Sequence, residues 1–189
     1  NPMRYICTSI VATLVLAGTS FAATISVPGD YATIQEAVFT ASSGDVIEVS
    51  QYHTETGTLM VCQSITIQYS GPSGFKPIID AETDGPVIEF CDSSTEHIVN
   101  FINIELANGS IDGGESGYGR GGCLIFGEGD TATFTGCHIN NCTNTSHGGA
   151  FNVTNDRSVH LDTCLVEDCS TGPNGFGGVV YCGSLNTDH

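Results

Sequence analysis

Chemistry in this chain could start from three kinds of residue: cysteines, carboxylates and histidines. Eight cysteines follow residue 23, at positions 62, 91, 123, 137, 142, 164, 169 and 182. An even set suits a disulfide framework in an oxidising compartment. None makes a C-x-x-C pair, and the recurring spacing is C-x4-C, which is poor evidence for zinc. The Gly-rich stretch 112–122 holds two carboxylates, Asp112 and Glu115. Hard oxygen ligands on a loop suit Ca2+, the one candidate cofactor, beside no certain one. The stretch is not an EF-hand, and no G-K-[ST] follows to cradle phosphate. Its structural alternative is a solvated turn. The six histidines (53, 97, 138, 147, 160 and 189) do not share a spacing. No Ser-His-Asp constellation can be assembled from spacing alone. Asn108, Asn141, Asn144 and Asn152 each open an N-x-[ST] sequon, relevant only in a host that glycosylates exported proteins.

Charge narrows the partners. The 189 residues include 21 Asp+Glu against 4 Lys+Arg, a formal net charge of -17. A phosphate backbone is bound by Lys/Arg patches, so no nucleic acid partner is expected. Docking on an anionic membrane is excluded on the same ground. Hydrophobic residues make up 40% and charged residues 13%, which argues against disorder.

The elements that must position these groups begin with an export segment. Arg4 starts it, residues 10–17 are apolar, and small residues run to Ala22 and Ala23. That is a secretory signal over residues 1–23, with Asn1 and Pro2 upstream of Met3. The apolar run is too short to span a membrane, so no transmembrane span is expected in the mature chain. The expected location is extracellular or the outer cell surface. Residues 30–41 have helical periodicity, with Ile34, Ala37, Val38 and Ala41 on one face and a T-x-x-E capping box at Thr33 and Glu36. Residues 42–45 stop that helix and 46–49 form a strand. Residues 24–50 therefore form one unit, a helix and a first strand.

From residue 51 the chain is short strands and turns, expected at 59–62, 64–69, 77–79, 87–90, 97–106, 123–126, 131–139, 150–153, 158–166 and 179–182. A repeat organises them. Gly121-Gly122, Gly148-Gly149 and Gly177-Gly178 recur, and Cys137-x4-Cys142 returns as Cys164-x4-Cys169, 27 residues later. Aligned on that spacing, His138 matches Leu165 and His160 matches Thr133, so no histidine row is expected. Cys137 with Cys164, and Cys142 with Cys169, become neighbours on adjacent coils, and Cys62 with Cys91 could be another such pair. Parallel strands about 4.8 Å apart suit a disulfide's Cα separation. Buried free thiols are the alternative. Such a unit cannot bury a core alone but stacked copies can, so the fold class is all-β, a β-solenoid.

Residues 24–38 (TISVPGDYATIQEAV) and 43–49 (SGDVIEV) resemble the N-terminal cap and first turn of right-handed parallel β-helix proteins of the pectate-lyase-like superfamily. Tyr52-His53-Thr54-Glu55 approximates a Tyr-x-Glu motif common there. The Gly-Gly repeats are similar to those of chlamydial-type polymorphic outer membrane proteins, which carry GGA-I and F-x-x-N motifs. Here Ile139 and Val166 stand at the Phe position, and Cys142 and Cys169 at the Asn position. The resemblance implies a right-handed parallel β-helix with an N-terminal capping α-helix, coils over residues 51–189, and a surface or secreted adhesin-like role. Residues 131–135 (TATFT) resemble the Thr rows of ice-binding solenoids, but the next coil does not repeat them.

The leading expectation is therefore a secreted, non-enzymatic binding or structural module that recognises a glycan or a cell-surface protein. One alternative is a polysaccharide lyase or esterase. Enzymes of the resembling superfamily pair carboxylates with a basic residue. Past the export segment only Lys76, Arg120 and Arg157 are basic, and no motif carries catalytic residues over. The other alternative is a self-assembling extracellular protein, associating through an uncapped last coil that ends soon after residues 179–182, as if truncated.

Overall fold

The computed structural model describes residues 22–72, 74–91, 95–112, 120–127, 129–154 and 156–183. The export segment thus lies almost wholly outside the described residues, as does Glu115.

The described residues open with strand β1 (Thr24–Val27) and helix α1 (Ile34–Thr40). It then makes five similar passes. The first holds β2 (Val46–Val49), β3 (Thr54–Thr56) and β4 (Leu59–Val61). The second holds β5 (Thr66–Gln68), β6 (Ile78–Asp80) and β7 (Ile88–Phe90). The third holds β8 (Ile98–Ile102), β9 (Glu105–Ala107), β10 (Ser110–Ile111) and β11 (Leu124–Ile125). The fourth holds β12 (Thr131–Thr135), β13 (His138–Asn140), β14 (Thr143–Asn144) and β15 (Phe151–Thr154). The fifth holds β16 (Ser158–Asp162), β17 (Leu165–Glu167), β18 (Ser170–Thr171) and β19 (Val180–Gly183).

Corresponding strands of successive passes pair in parallel. They make a first sheet β1-β2-β5-β8-β12-β16, a second β3-β6-β9-β13-β17, a third β4-β7-β11-β15-β19, and a small one β10-β14-β18. An all-β chain of parallel sheets with one helix fits a parallel β-solenoid.

Alternation along each strand sends every second side chain inward, so the core is built of columns that cross the passes. The first sheet stacks Ile47, Ile67, Phe101, Phe134 and Leu161 in register. The Phe101 and Phe134 rings lie 5.1 Å apart and nearly parallel. The second sheet stacks Glu55, Ile79, Leu106, Ile139 and Val166. The third stacks Leu59, Ile88, Leu124, Phe151 and Val180.

Three expected strands, 97–106, 131–139 and 158–166, each prove to be two. Asn103, Gly136 and Thr163 break them in the left-handed region, at φ 57°, 62° and 53°. They occupy one register position, directly after β8, β12 and β16, and bend the chain from the first sheet to the second. A second corner follows at Asn108, Asn141 and Asp168, again left-handed. Asn and Asp tolerate that region because their short side chains hydrogen-bond locally. Strands β3, β10, β14 and β18 are too short to show a period and were not expected from the pattern.

The helix is shorter than residues 30–41. Thr33 is its N-cap, accepting from Glu36 N at 3.1 Å. Glu55 Oε2 accepts from Ile34 N at 2.7 Å and Oε1 from Gln35 N at 3.2 Å. The first three orphan donors of the helix are thereby satisfied. Gln63 Nε2 donates to Val38 O, and to Ala41 O at 2.8 Å, closing the other end. The helix buries Ile34, Ala37 and Val38 and packs on β1, β2 and β4. Among the described residues no helix is long and apolar enough to cross a membrane.

Candidate functional site

The outward face of the second sheet carries the most connected set of polar side chains. Its strands are three residues long, so the two end side chains of each point out while the middle one enters the core. In register these make a row Ile78, Glu105, His138, Leu165 and a row Asp80, Ala107, Asn140, Glu167. The corner residues Asn108, Asn141 and Asp168 continue the face. Each pass adds its polar groups one strand spacing from the last, about 4.8 Å.

These groups are linked across passes. His138 Nε2 lies 2.8 Å from Glu167 Oε1, and Nδ1 3.6 Å from Glu105 Oε1. A carboxylate only accepts, so Nε2 carries the hydrogen toward Glu167. Asn140 Nδ2 donates to Glu105 Oε1 at 2.8 Å. Asn141 Nδ2 donates to Asn108 Oδ1 at 2.6 Å, and Asn108 Nδ2 to Asp80 Oδ1 at 2.8 Å. The side chains of His138 and Glu105 are about a quarter exposed and that of Glu167 is half exposed. The result is a partly solvated ladder of carboxylates, amides and one imidazole, with exposed Leu165 at its edge. Such a ladder can accept and donate hydrogen bonds along its length. Among the described residues the imidazole is met by Glu167, Glu105 and Asn140. Register pairs His138 with Leu165 and Thr133 with His160, the alignment that the cysteine spacing predicts.

The cysteines follow the same columns. Cys62 and Cys91 are disulfide-bonded, with Cα atoms 4.9 Å apart. They follow Val61 and Phe90, which are register partners. Cys137 and Cys164 follow the first corner, while Cys142 and Cys169 follow the second; all four thiols are free here. Cys137 Sγ donates to Phe101 O and Cys164 Sγ to Phe134 O, each at 3.3 Å. Burial pushes the Cys137 thiol up to about 11.

The paired glycines mark where passes touch by backbone alone. A Cβ on Gly122 would meet Gly149 O, and one on Gly149 would meet Gly178 O and Ser170 N. Gly122 N donates to Gly149 O at 2.9 Å and Gly149 N to Gly178 O at 3.1 Å. The first glycine of the later pairs, Gly148 or Gly177, sits at φ 66° or 68°. Gly121 lies against the backbone of Ala150 and Phe151.

Of the remaining expected sites, Asp112 is exposed just after β10, and its companion Glu115 lies outside the described residues. Among the described residues no group of three or more His, Cys, Asp or Glu could hold a metal. The sequons divide. Asn141 is exposed and Asn108 partly so, whereas Asn144 and Asn152 are buried at 3% and 7% exposure. Asn144 Nδ2 already donates to Arg120 O at 2.6 Å. A glycan at either buried residue would have to fit inside the fold. The Arg157 guanidinium is engaged by backbone, donating to Gly127 O at 2.9 Å and Thr154 O at 3.1 Å.

Three acidic groups, Asp45, Glu55 and Asp130, are buried, and none was expected to be. Glu55, at the approximate Tyr-x-Glu motif, is the inward residue of β3 and accepts from the helix N-terminus. His53 Nε2 is 3.1 Å from its Oε2. Asp130 pairs with buried His97, Oδ1 to Nδ1 at 3.0 Å, and accepts from His97 N and Gly127 N. Both precede register-matched strands, so a repeat alignment extended upstream to residue 97 places them side by side. Comparison of the chain with family models, with curated proteins and with solved structures finds no match.

Proposed function

We propose that the chain is a right-handed parallel β-helix whose first end is covered by α1, and that it acts as a secreted or cell-surface, adhesin-like binding module without catalysis. The handedness follows from the near-universal right-handed parallel crossover. The cap reading is supported by Glu55 and by Gln35, whose amide accepts from Met60 N at 2.8 Å and donates to Met60 O at 3.0 Å on β4. A side chain there takes the place of a further strand.

The observation that carries the binding reading is the cross-pass polar ladder on the second sheet. Its partner is a glycan chain or a hydroxyl-rich protein surface lying along the strand-stacking direction, so that successive units meet successive passes. At a net charge of -17 an anionic polymer is repelled unless Ca2+ bridges it. Neutral or amine-bearing glycans are therefore the preferred class. The test is a glycan array with and without Ca2+, with the same glycans followed for cleavage products. Binding that weakens in Asn140→Ala and His138→Ala, without turnover, supports the reading. Turnover sinks it in favour of a lyase or esterase. Binding unchanged in both variants moves the site off this face.

A second reading, self-assembly, is favoured by one observation. The fifth pass leaves the inward-column residues Leu161 and Val180, with the adjacent Val179, at 36–42% exposure. Among the described residues, strands β16 to β19 each lie at a sheet edge. Exposed edges of this kind template pairing. Concentration-dependent association in sedimentation, abolished by Leu161→Lys, would support it.

A further inference from the structure

Three cysteines meet beside the small sheet. Thr143 and Ser170 are register partners, and Ser170 N donates to Cys142 O at 3.0 Å. Cys142 and Cys169, the residues just before them, therefore hold one position on consecutive passes. Cys123 reaches the same place from the third sheet. Its neighbour Gly122 abuts Thr143, so closely that a Cβ on Gly122 would lie 2.6 Å from Thr143 N. That register and that backbone contact set Cys142 beside both Cys169 and Cys123, while its thiol donates to Asn140 O at 3.5 Å and that of Cys169 to Glu167 O at 3.2 Å. Cys123 and Cys142 are fully buried and Cys169 is partly exposed. The pair Cys137 and Cys164 differs, because both thiols are turned to carbonyl oxygens of the preceding pass.

The Cys62–Cys91 bridge shows that this relation between passes accepts a disulfide. Its Cα separation of 4.9 Å lies within the usual range. Cys142 and Cys169 stand in the same relation, but Cys142 has a second thiol within reach.

We propose that Cys123, Cys142 and Cys169 form a thiol–disulfide exchange site in which Cys142 is the shared sulfur, bonded in turn to Cys169 and to Cys123. The oxidant is a small-molecule disulfide. The thiolate of partly exposed Cys169 attacks one of its sulfurs, forming a mixed disulfide and releasing one small thiol. The Cys142 thiolate then attacks Cys169 Sγ, forms the Cys142–Cys169 bond and releases the second small thiol. Two protein thiols have given up two electrons and two protons, which the small disulfide has gained. In the exchange step the Cys123 thiolate attacks Cys142 Sγ. The Cys142–Cys169 bond breaks, and Cys169 leaves as a thiolate that takes up the proton Cys123 lost. No net oxidation accompanies that step. In one position the bond ties the exposed fifth pass to the fourth. In the other it moves inside and frees Cys169 for a thiol of another molecule. Contact with the neighbouring thiol and burial hold Cys142 and Cys169 protonated well above the usual thiol range, so exchange quickens at alkaline pH.

The test incubates the full chain with reduced and oxidised glutathione at mildly alkaline pH, quenches in acid, alkylates, and maps linked peptides by mass spectrometry. Both the 142–169 and the 123–142 linkages are expected in the wild type. Cys123→Ser should give the first alone, and Cys169→Ser, which removes the thiol that admits the oxidant, should give little of either. Oxidised only briefly and then moved to buffer without oxidant, the wild type should drift from its first linkage to a constant ratio of the two while its free-thiol count stays constant. A single linkage that never changes in the wild type overturns the proposal. So does an unlinked Cys142 in protein whose Cys62–Cys91 peptide is bridged. The wild-type exchange decides alone should a serine variant fail to fold.

Discussion

Adding one methyl group to Gly149 should distinguish stacked backbone passes from a merely glycine-rich loop. The Cβ of Gly149→Ala would fall on Gly178 O and lie 2.6 Å from Ser170 N, both of them backbone atoms that no rotamer change can move aside. The fourth and fifth passes must separate locally, which weakens the Gly149 N to Gly178 O bond as well. Overpacking of this kind costs about 1–3 kcal/mol. Gly178→Ala is the control, since a Cβ there meets nothing within 4 Å and Gly178 is not among the positive-φ residues. It should be neutral, or stabilising by about 0.4–1 kcal/mol through the unfolded chain. The assay is urea unfolding followed by circular dichroism. With a slope of about 1–3 kcal/mol/M, a loss of about 2 kcal/mol moves the midpoint down by roughly 1 M. Equal midpoints for Gly149→Ala and wild type would refute the backbone-contact argument. Equal losses in both variants would show that the fifth pass is itself covered in solution.

Two further outcomes follow from the buried groups. Alkylation at pH 8 should label exposed Cys182 first. Cys137, its thiol pushed up to about 11 from 9.0, should react roughly 100-fold more slowly from its thiolate fraction alone; comparable rates would contradict its burial. The Asp45 carboxyl is held below the ordinary carboxylate range by hydrogen bonds from Ser42 N and Ala23 N. Its stabilisation belongs to the ionised form. It is fully present above the unfolded-state value of about 3.9 and is lost as pH falls through the lower folded value. Thermal unfolding of Asp45→Asn should therefore fall below wild type at neutral pH and converge with it in acid. A gap independent of pH would assign the loss to packing instead.

The candidate binding face was half legible in the residues. The octets 136–143 (GCHINNCT) and 163–170 (TCLVEDCS) announce themselves by their cysteines. The octet 103–110 (NIELANGS) has the same corner, inward and outward positions without one. Its Glu105 therefore gave no signal and its Asn108 stood out only as a sequon, although they face His138 and Asn141. The inward slot accepts Ile104 or Cys137, and the corner accepts Asn, Gly, Thr or Asp, because only shape and backbone conformation are constrained there. Identity is lost while geometry persists.

From the amino-acid sequence alone came the all-β class, the period of the repeat, the single early helix and its Thr33 cap, the close approach of Cys62 and Cys91, and the acidity of the chain. Each rests on local pattern or composition, which a chain carries before it folds. Tertiary structure decided which residues share a face, that Glu55 enters the core to meet the helix N-terminus, that Asn144 and Asn152 are buried, and that Cys142 sits between two thiols. Those depend on contacts between residues 19 to 35 apart. Only the register of parallel strands, with the left-handed corners that hold it, brings such residues together.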